Sequence, residues 1–138
     1  MHSSQNRKDK LPTADLDKIA LVINVGSVGP LRVLKAFLPL LKKSGIGALV
    51  VNVSSEAGSI GSCYRTFYID YGMEKAALNM ATKTMHNYFK DDPNINIICL
   101  HPGWMRTNPG NEEAPLDPYE HAETLRLLFE TLEILLPI

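Results

Sequence analysis

The chain has 138 residues, of which 45% are hydrophobic and 21% are charged, with 14 Lys and Arg against 15 Asp and Glu. This length suits one domain with a hydrophobic core, and the balanced charge argues against nucleic-acid binding, which needs clustered basic residues. Two cysteines, Cys63 and Cys99, cannot form a disulfide framework, and the Cys and His spacing predicts no metal site. The first residues do not resemble a secretory signal, and Arg32 and Lys35 interrupt the longest apolar region. We therefore expect a soluble, cytoplasmic protein with no membrane-spanning helix.

The first predicted elements are an arm and a long helix. Residues 1–13 are polar and predict a disordered arm, and Thr13 is a suitable N-cap for the helix that follows. The stretch 19–25 is β-branched and nearly continuously apolar, so taken alone it is also typical of a buried strand. Leucines then recur at helical spacing as far as Leu41 and predict a helix that ends at residue 43. We expect Pro39 to kink or interrupt this helix.

Two strands and two further helices follow. The runs 48–53 and 95–100 are short and almost entirely apolar, which favours parallel strands covered on both faces. Helices are predicted at 71–90 and from Pro118 onwards. Strands that alternate with helices form parallel sheets through right-handed crossovers, so the fold class is α/β with parallel strands and flanking helices.

The two remaining loops, 54–70 and 101–117, both leave the carboxyl ends of the predicted strands. In open parallel sheets, ligands bind beyond those ends. We therefore expect both loops on one side of the molecule, next to a ligand site.

One pair of side chains in this region suggests acid–base chemistry. Tyr71 and Lys75 stand four residues apart, on one face of the predicted helix. An ammonium near a phenol stabilises the phenolate and lowers the phenol pKa from its usual value near 10. Ser55 follows the first strand and is placed to hydrogen-bond a substrate oxygen, with Ser54 and Ser59 as alternatives. Spacing alone is also compatible with an ordinary exposed helix pair.

Three segments resemble the short-chain dehydrogenase/reductase family, namely VVNVSS (50–55), YGMEKAALNMATKTM (71–85) and INIICLHPGWMRT (95–107). Within that family, the pieces GPLRV, EKAALNMATK and LHPGW look like the C-factor-type members. The resemblance covers about residues 14–135. It implies a Rossmann-like three-layer domain and reversible hydride transfer between NAD(H) or NADP(H) and a small-molecule alcohol or carbonyl.

The resemblance also implies roles for single residues. Tyr71 would be the catalytic acid/base, Lys75 would lower the pKa of Tyr71 and hold the nicotinamide ribose, and Ser55 would orient the substrate oxygen.

The same resemblance assigns cofactor contacts. Pro102, Gly103 and Thr107 match the stretch that lies along the nicotinamide, and the loop 104–116 matches the segment that covers the substrate. The helical regions 14–43 and 71–90 match the family's main dimer interface, so we expect a homo-oligomer.

The chain departs from the family pattern at its front. Family domains open with a glycine-rich turn that cradles the pyrophosphate, but the segment 23–29 (INVGSVG) lacks the first glycine of G-x-G-x-x-G. We therefore expect residues 14–138 to be the C-terminal half to two-thirds of such a domain, with the N-terminal nucleotide-binding half missing. Weak or absent NADPH binding by this chain would follow. The alternative to an active oxidoreductase is a truncated, non-catalytic member that acts through its dimerising helices.

A second departure concerns the family's catalytic asparagine. It normally lies three residues before the glycine of the GPL segment, a position that Gly26 occupies here. Asn24 is nearby, but two residues along a helix turn a side chain by roughly 200°. Whether Asn24 replaces the family asparagine is left open by the sequence.

Overall fold

The structure is a computed structural model that describes residues 10–44, 47–107 and 112–135, with side chains described up to residue 132. The described helices are α1 (Leu16–Ile23), α2 (Gly29–Leu41), α3 (Ile69–Phe89) and α4 (Pro118–Leu135), and the strands are β1 (Ala48–Val53) and β2 (Ile95–Leu100). This order confirms the α/β class, and both strand boundaries agree with the sequence. Residues 1–9 of the expected arm lie outside the described residues, and Leu11–Thr13 form one 3₁₀ turn.

The N-terminal helical region is continuous from Leu16 to Leu41. A π-helical segment, Asn24–Val28, joins α1 to α2, so the apolar stretch 19–25 is helical and not a strand. The expected cap at Thr13 is wrong, because Asp15 is the N-cap and its carboxylate accepts a hydrogen bond from the Lys18 N–H at 3.1 Å. Pro39 does not interrupt α2, which continues to Leu41, although a proline at this position cannot donate the hydrogen bond to the carbonyl four residues earlier.

By length and composition alone, the stretch Leu16–Leu41 is able to cross a membrane. It has 26 residues, a mean hydropathy of 1.4 in its most apolar window, and 11% of that window is buried. Core helices of soluble proteins also meet this criterion. The sequence argument against a spanning helix therefore stays a prediction.

The sheet sets the position of the site. β1 and β2 pair in parallel, with Ala48 opposite Ile95 and Val53 opposite Leu100. The Ser54 N–H continues the ladder by donating to the Leu100 carbonyl at 2.7 Å. The loops after the two strands therefore start side by side at one edge, as the sequence predicts.

The core lies between α2, α3 and the two strands. Its buried residues are Leu34, Phe89, Ile95 and Ile97. A polar link also ties the layers together, because the Asn52 amide on β1 donates to Thr82 Oγ1 on α3 at 2.9 Å. Thr82 is only 3% exposed, so α3 is held against β1 by a buried hydrogen bond.

Candidate active site

A cavity of about 740 Å³ opens at the carboxyl edge of the two strands. Four of the sequence-predicted site residues line it: Ser55 after β1, Tyr71 on α3, and Pro102 and Gly103 after β2. Thr107 is exposed and is not among the described residues that line the cavity. The fold thus brings residues from three separate segments to one place.

Lys75 lies beside Tyr71 and is held on two sides. Its Nζ atom is 5.7 Å from the centre of the Tyr71 ring. The same ammonium donates to the Val53 carbonyl at 3.3 Å and lies 3.1 Å from Glu74 Oε1. An ammonium has three donors, so two partners on the protein leave one donor for a ligand oxygen.

The three candidate serines differ in what their hydroxyl groups bind. Ser54 Oγ donates to the Asn79 side-chain oxygen at 2.6 Å. Ser59 Oγ accepts from Ser62 at 2.6 Å, in the exposed part of the loop. Ser55 Oγ accepts from the Ala57 N–H at 3.2 Å. Ser54 and Ser55 both line the cavity with Tyr71, and Ser55 is favoured of the two because its Oγ is not bonded to α3.

Sequence reasoning missed a charged cluster in the same cavity. Glu56 pairs with Arg65, accepts from Ser55 Oγ at 2.5 Å, and lies 3.6 Å from His101 Nε2. The Ser55 hydrogen bond, followed by the interactions with Arg65, holds the pKa of the Glu56 carboxyl below its usual value although partial burial raises it. The available signal was an acidic residue directly after the serine pair, with an arginine nine positions later.

The backbone at the cavity is unusual at two points. Tyr68, directly before α3, has a φ of 61°, a left-handed conformation that is rare for residues other than glycine. Gly103 has a φ of 88°, and a Cβ there would lie 2.5 Å from Leu116 Cδ1. Such outliers persist where the surroundings over-determine the backbone, and they often occur at functional sites.

The structure describes both positions that the sequence analysis considered for the family's asparagine, residues 24 and 26. Asn24 is exposed, and its side-chain oxygen accepts from Arg32 Nη2 at 2.7 Å. Gly26 faces α3, and a Cβ there would overlap the carboxyl group of Glu74. The acidic side chain of Glu74 thus occupies the space beside position 26.

The comparisons with known proteins agree with this architecture. The family model for short chain dehydrogenases matches residues 4–115. The chain belongs to the short-chain dehydrogenase/reductase family.

Two curated proteins illustrate the similarity in sequence. The C-signal protein of Myxococcus xanthus is 34% identical over 106 residues, which are 77% of this chain and 63% of that protein. The 1-hydroxy-2-glutathionyl-2-methyl-3-butene dehydrogenase of a Rhodococcus species is 34% identical over 100 residues, which are 72% of this chain and 42% of that enzyme.

Solved structures of the family share the fold. The carbonyl reductase Sniffer of Drosophila melanogaster has a TM-score of 0.79 and 28% identity, covering 91% of this chain and 55% of that one. The NADPH-bound carbonyl reductase from chicken fatty liver has a TM-score of 0.71 and 27% identity, and the match covers 96% of this chain and 56% of that one. The chain spans little more than half the length of these reductases, which is consistent with part of a Rossmann-like domain.

Pro102 and Gly103, which the resemblance assigned to the nicotinamide, line the cavity together with Tyr71. Lys75 is not among the described residues that line it, and its ammonium keeps one donor beyond those given to Val53 and Glu74. Among the described residues, no three His, Cys, Asp or Glu side chains are grouped as a metal site.

Proposed function

We propose that the cavity is the reaction centre of an NAD(P)-dependent oxidoreductase that interconverts a small-molecule carbonyl and its alcohol. The observation that carries this proposal is that Ser55 and Tyr71 line one cavity at the carboxyl edge of the parallel strands, with Lys75 Nζ 5.7 Å from the centre of the Tyr71 ring. The family membership and the reductases among the relatives support it.

Each side chain has a separate role in the proposed reaction. The Tyr71 hydroxyl gives its proton to the carbonyl oxygen during reduction and takes it back during oxidation, which is general acid–base catalysis. The Ser55 hydroxyl, which donates to Glu56 in this structure, turns to donate to the same oxygen and fixes its direction, because a serine hydroxyl has one hydrogen to give. Lys75 stabilises the phenolate and, with Pro102 and Gly103, holds the nicotinamide riboside. When bound, the cofactor supplies or accepts the hydride at the carbonyl carbon.

A second candidate is a non-catalytic role through self-association. Large apolar side chains are exposed on both helical regions named by the sequence, with Phe37 at 55%, Leu40 at 63% and Met80 at 69% exposure. Exposed apolar patches of this kind mark association surfaces. The partner that we propose is a second copy of this chain, packed through residues 14–43 and 71–90.

An assay with both cofactors distinguishes the two candidates. The 138-residue chain is incubated with millimolar NADH or NADPH and a panel of aldehydes and ketones, so that weak cofactor binding does not limit the rate. Carbonyl-dependent oxidation of either cofactor supports the enzyme and identifies the preferred one. Absence of turnover in a chain that forms dimers supports the second candidate.

We keep a cytoplasmic location as part of the proposal.

A further inference from the structure

Glu74 is a buried carboxylate in an unexpected place. The residue is 8% exposed and belongs to the second turn of α3, where its side chain lies against Gly26 of the π-helical segment. Gly26 makes room for it, because a Cβ at position 26 would lie 2.5 Å from Glu74 Cγ and would overlap the carboxyl group. The absence of a side chain at position 26 is therefore a requirement of the Glu74 conformation.

The same carboxylate reaches the neighbouring lysine. Side chains at consecutive helix positions do not ordinarily face each other, yet Glu74 Oε1 and Lys75 Nζ are 3.1 Å apart and their side chains are 11% and 15% exposed. The Val53 carbonyl accepts from the other side of the ammonium. Lys75 is thus held between the end of β1 and a carboxylate seated against Gly26.

We infer that Glu74 is a positioning residue for Lys75, and that Gly26 enables this role by leaving space for its carboxylate. The inference rests on the proposed function only for its catalytic consequence. The titratable groups that line the neighbouring cavity are Tyr71 on α3 and, from the loops and the residue before α3, Glu56, Tyr64, Arg65, Tyr68 and His101. Within α3, Glu74 is the carboxylate in contact with the ammonium that serves Tyr71.

A purely structural role for Glu74 is the competing explanation. The contact between the two helices has its own hydrogen bond, because Ser27 Oγ donates to the backbone carbonyl of Glu74 at 2.7 Å. Replacement of the side chain by Gln keeps that bond and the side-chain volume. A change of the Lys75 NMR signal in the Glu74→Gln variant therefore reports on the ion pair and not on helix packing.

The test follows the Lys75 ammonium directly by ¹⁵N-detected NMR of lysine side chains in the 138-residue chain, with Lys75→Arg used for assignment. An ammonium held by a carboxylate and a carbonyl exchanges its protons slowly, so we expect a resolved Lys75 signal in the wild type. Glu74→Gln and Gly26→Ala should both broaden or abolish it, the first by removing the charge and the second by displacing the carboxylate. A wild-type chain without this signal, or variants that retain it unchanged, would overturn the inference.

Two matched controls separate the effect from general perturbation. Gly29→Ala adds the same methyl group to the same helical region, where the nearest atom is the Asn24 carbonyl oxygen at 4.0 Å. Asp91→Asn removes the charge of the exposed neighbouring pair Lys90–Asp91. Both controls should leave the Lys75 signal unchanged, and loss of the signal in either would contradict the assignment to Glu74 and Gly26.

A double-mutant cycle keeps the inference falsifiable if Gly26→Ala is poorly stable. Glu74→Ala removes the overlapping atoms, so the loss of thermal stability caused by Gly26→Ala should be smaller in that background, and additive losses would contradict the coupling. Where turnover exists, Glu74→Gln should lower kcat and change the pH profile, whereas Gly29→Ala should change neither. An inactive chain with the predicted NMR changes would refute the proposed function and leave the positioning of Lys75 intact.

Discussion

The ammonium of Lys75 lies over the ring of Tyr71, 5.7 Å from its centre, one turn further along α3. The loop after β1 closes onto α3 at this point, because Gly58 approaches the backbone of Lys75 so closely that a Cβ would lie 2.6 Å from the Lys75 carbonyl carbon. The loop that carries Ser55 is therefore seated on α3 at the turn that carries Lys75.

Gly58→Ala tests the close approach. The added methyl group meets the backbone carbonyl of Lys75, which cannot move aside as the end of a flexible side chain can. We expect overpacking to reduce the free energy of unfolding by about 1–3 kcal/mol, as measured by urea denaturation. Gly61→Ala is the control, since nothing lies within 4 Å of a Cβ there. Equal effects of the two substitutions would show that the loop is not tightly seated on α3.

Thr82→Val tests the link between α3 and β1. The variant keeps the shape of the buried Thr82 side chain but leaves the half-buried Asn52 amide without its acceptor, so unfolding should become easier by about 1–3 kcal/mol. Thr84→Val is a matched control, because Thr84 is exposed and its hydroxyl donates to the carbonyl four residues earlier, as that of Thr82 does. Its effect should stay within about 0.5 kcal/mol. Similar losses in both variants would refute a structural role for the Asn52–Thr82 bond.

Glu56 should contribute a pH-dependent increment of stability. The pKa of its carboxyl is held below the ordinary value of 4.5 in the folded chain. The increment is therefore fully present above pH 4.5, and it is lost as the pH falls through the lowered pKa. The side chain is 42% exposed, and solvent screening limits the increment to about 1 kcal/mol or less. The stability difference between the wild type and Glu56→Gln should therefore be larger at pH 6 than at pH 3.

Glu113→Gln, a change at an exposed residue of the loop after β2, is the control for this titration. It should follow the wild type across the whole range. A Glu56→Gln difference that is constant with pH, or that grows on acidification, would contradict the lowered pKa.

Self-association should depend on the exposed apolar face of α2. Phe37→Glu places a charge on that face, and burying it in an interface without a partner is costly. We expect the wild type to sediment as a dimer and the variant to sediment as a monomer with an unchanged circular dichroism spectrum. Leu127→Glu on α4, where the native side chain is 51% exposed, should leave the dimer intact. A monomeric wild type would refute the proposed interface.

The sequence predicted the fold better than the site. The boundaries of β1 and β2 follow from short apolar runs, and the order of elements follows from their alternation with helical patterns. The π-helical segment was not predictable, because β-branched residues at 19–25 favour a strand locally, and only packing against α3 overrides that preference.

The residues of the site were likewise predictable from the sequence only in part. Tyr71, Lys75 and Ser55 stand in a recognisable order along the chain, so their proximity could be predicted. The contacts of Glu74 with Gly26 and of Glu56 with Arg65 join residues 48 and 9 positions apart. Side-chain pairs of this kind depend on the relative placement of whole elements, which periodicity does not specify.

The most direct test of the central claim is the transfer of deuterium from NADPH labelled at C4 to a carbonyl substrate of the 138-residue chain. We expect the alcohol product of the wild type to carry deuterium at the former carbonyl carbon. Tyr71→Phe should slow this transfer by about 10²-fold or more, and Tyr119→Phe, at a tyrosine that is 87% exposed on α4, should not. Transfer by Tyr71→Phe at the wild-type rate would contradict the assignment of Tyr71 as the acid/base.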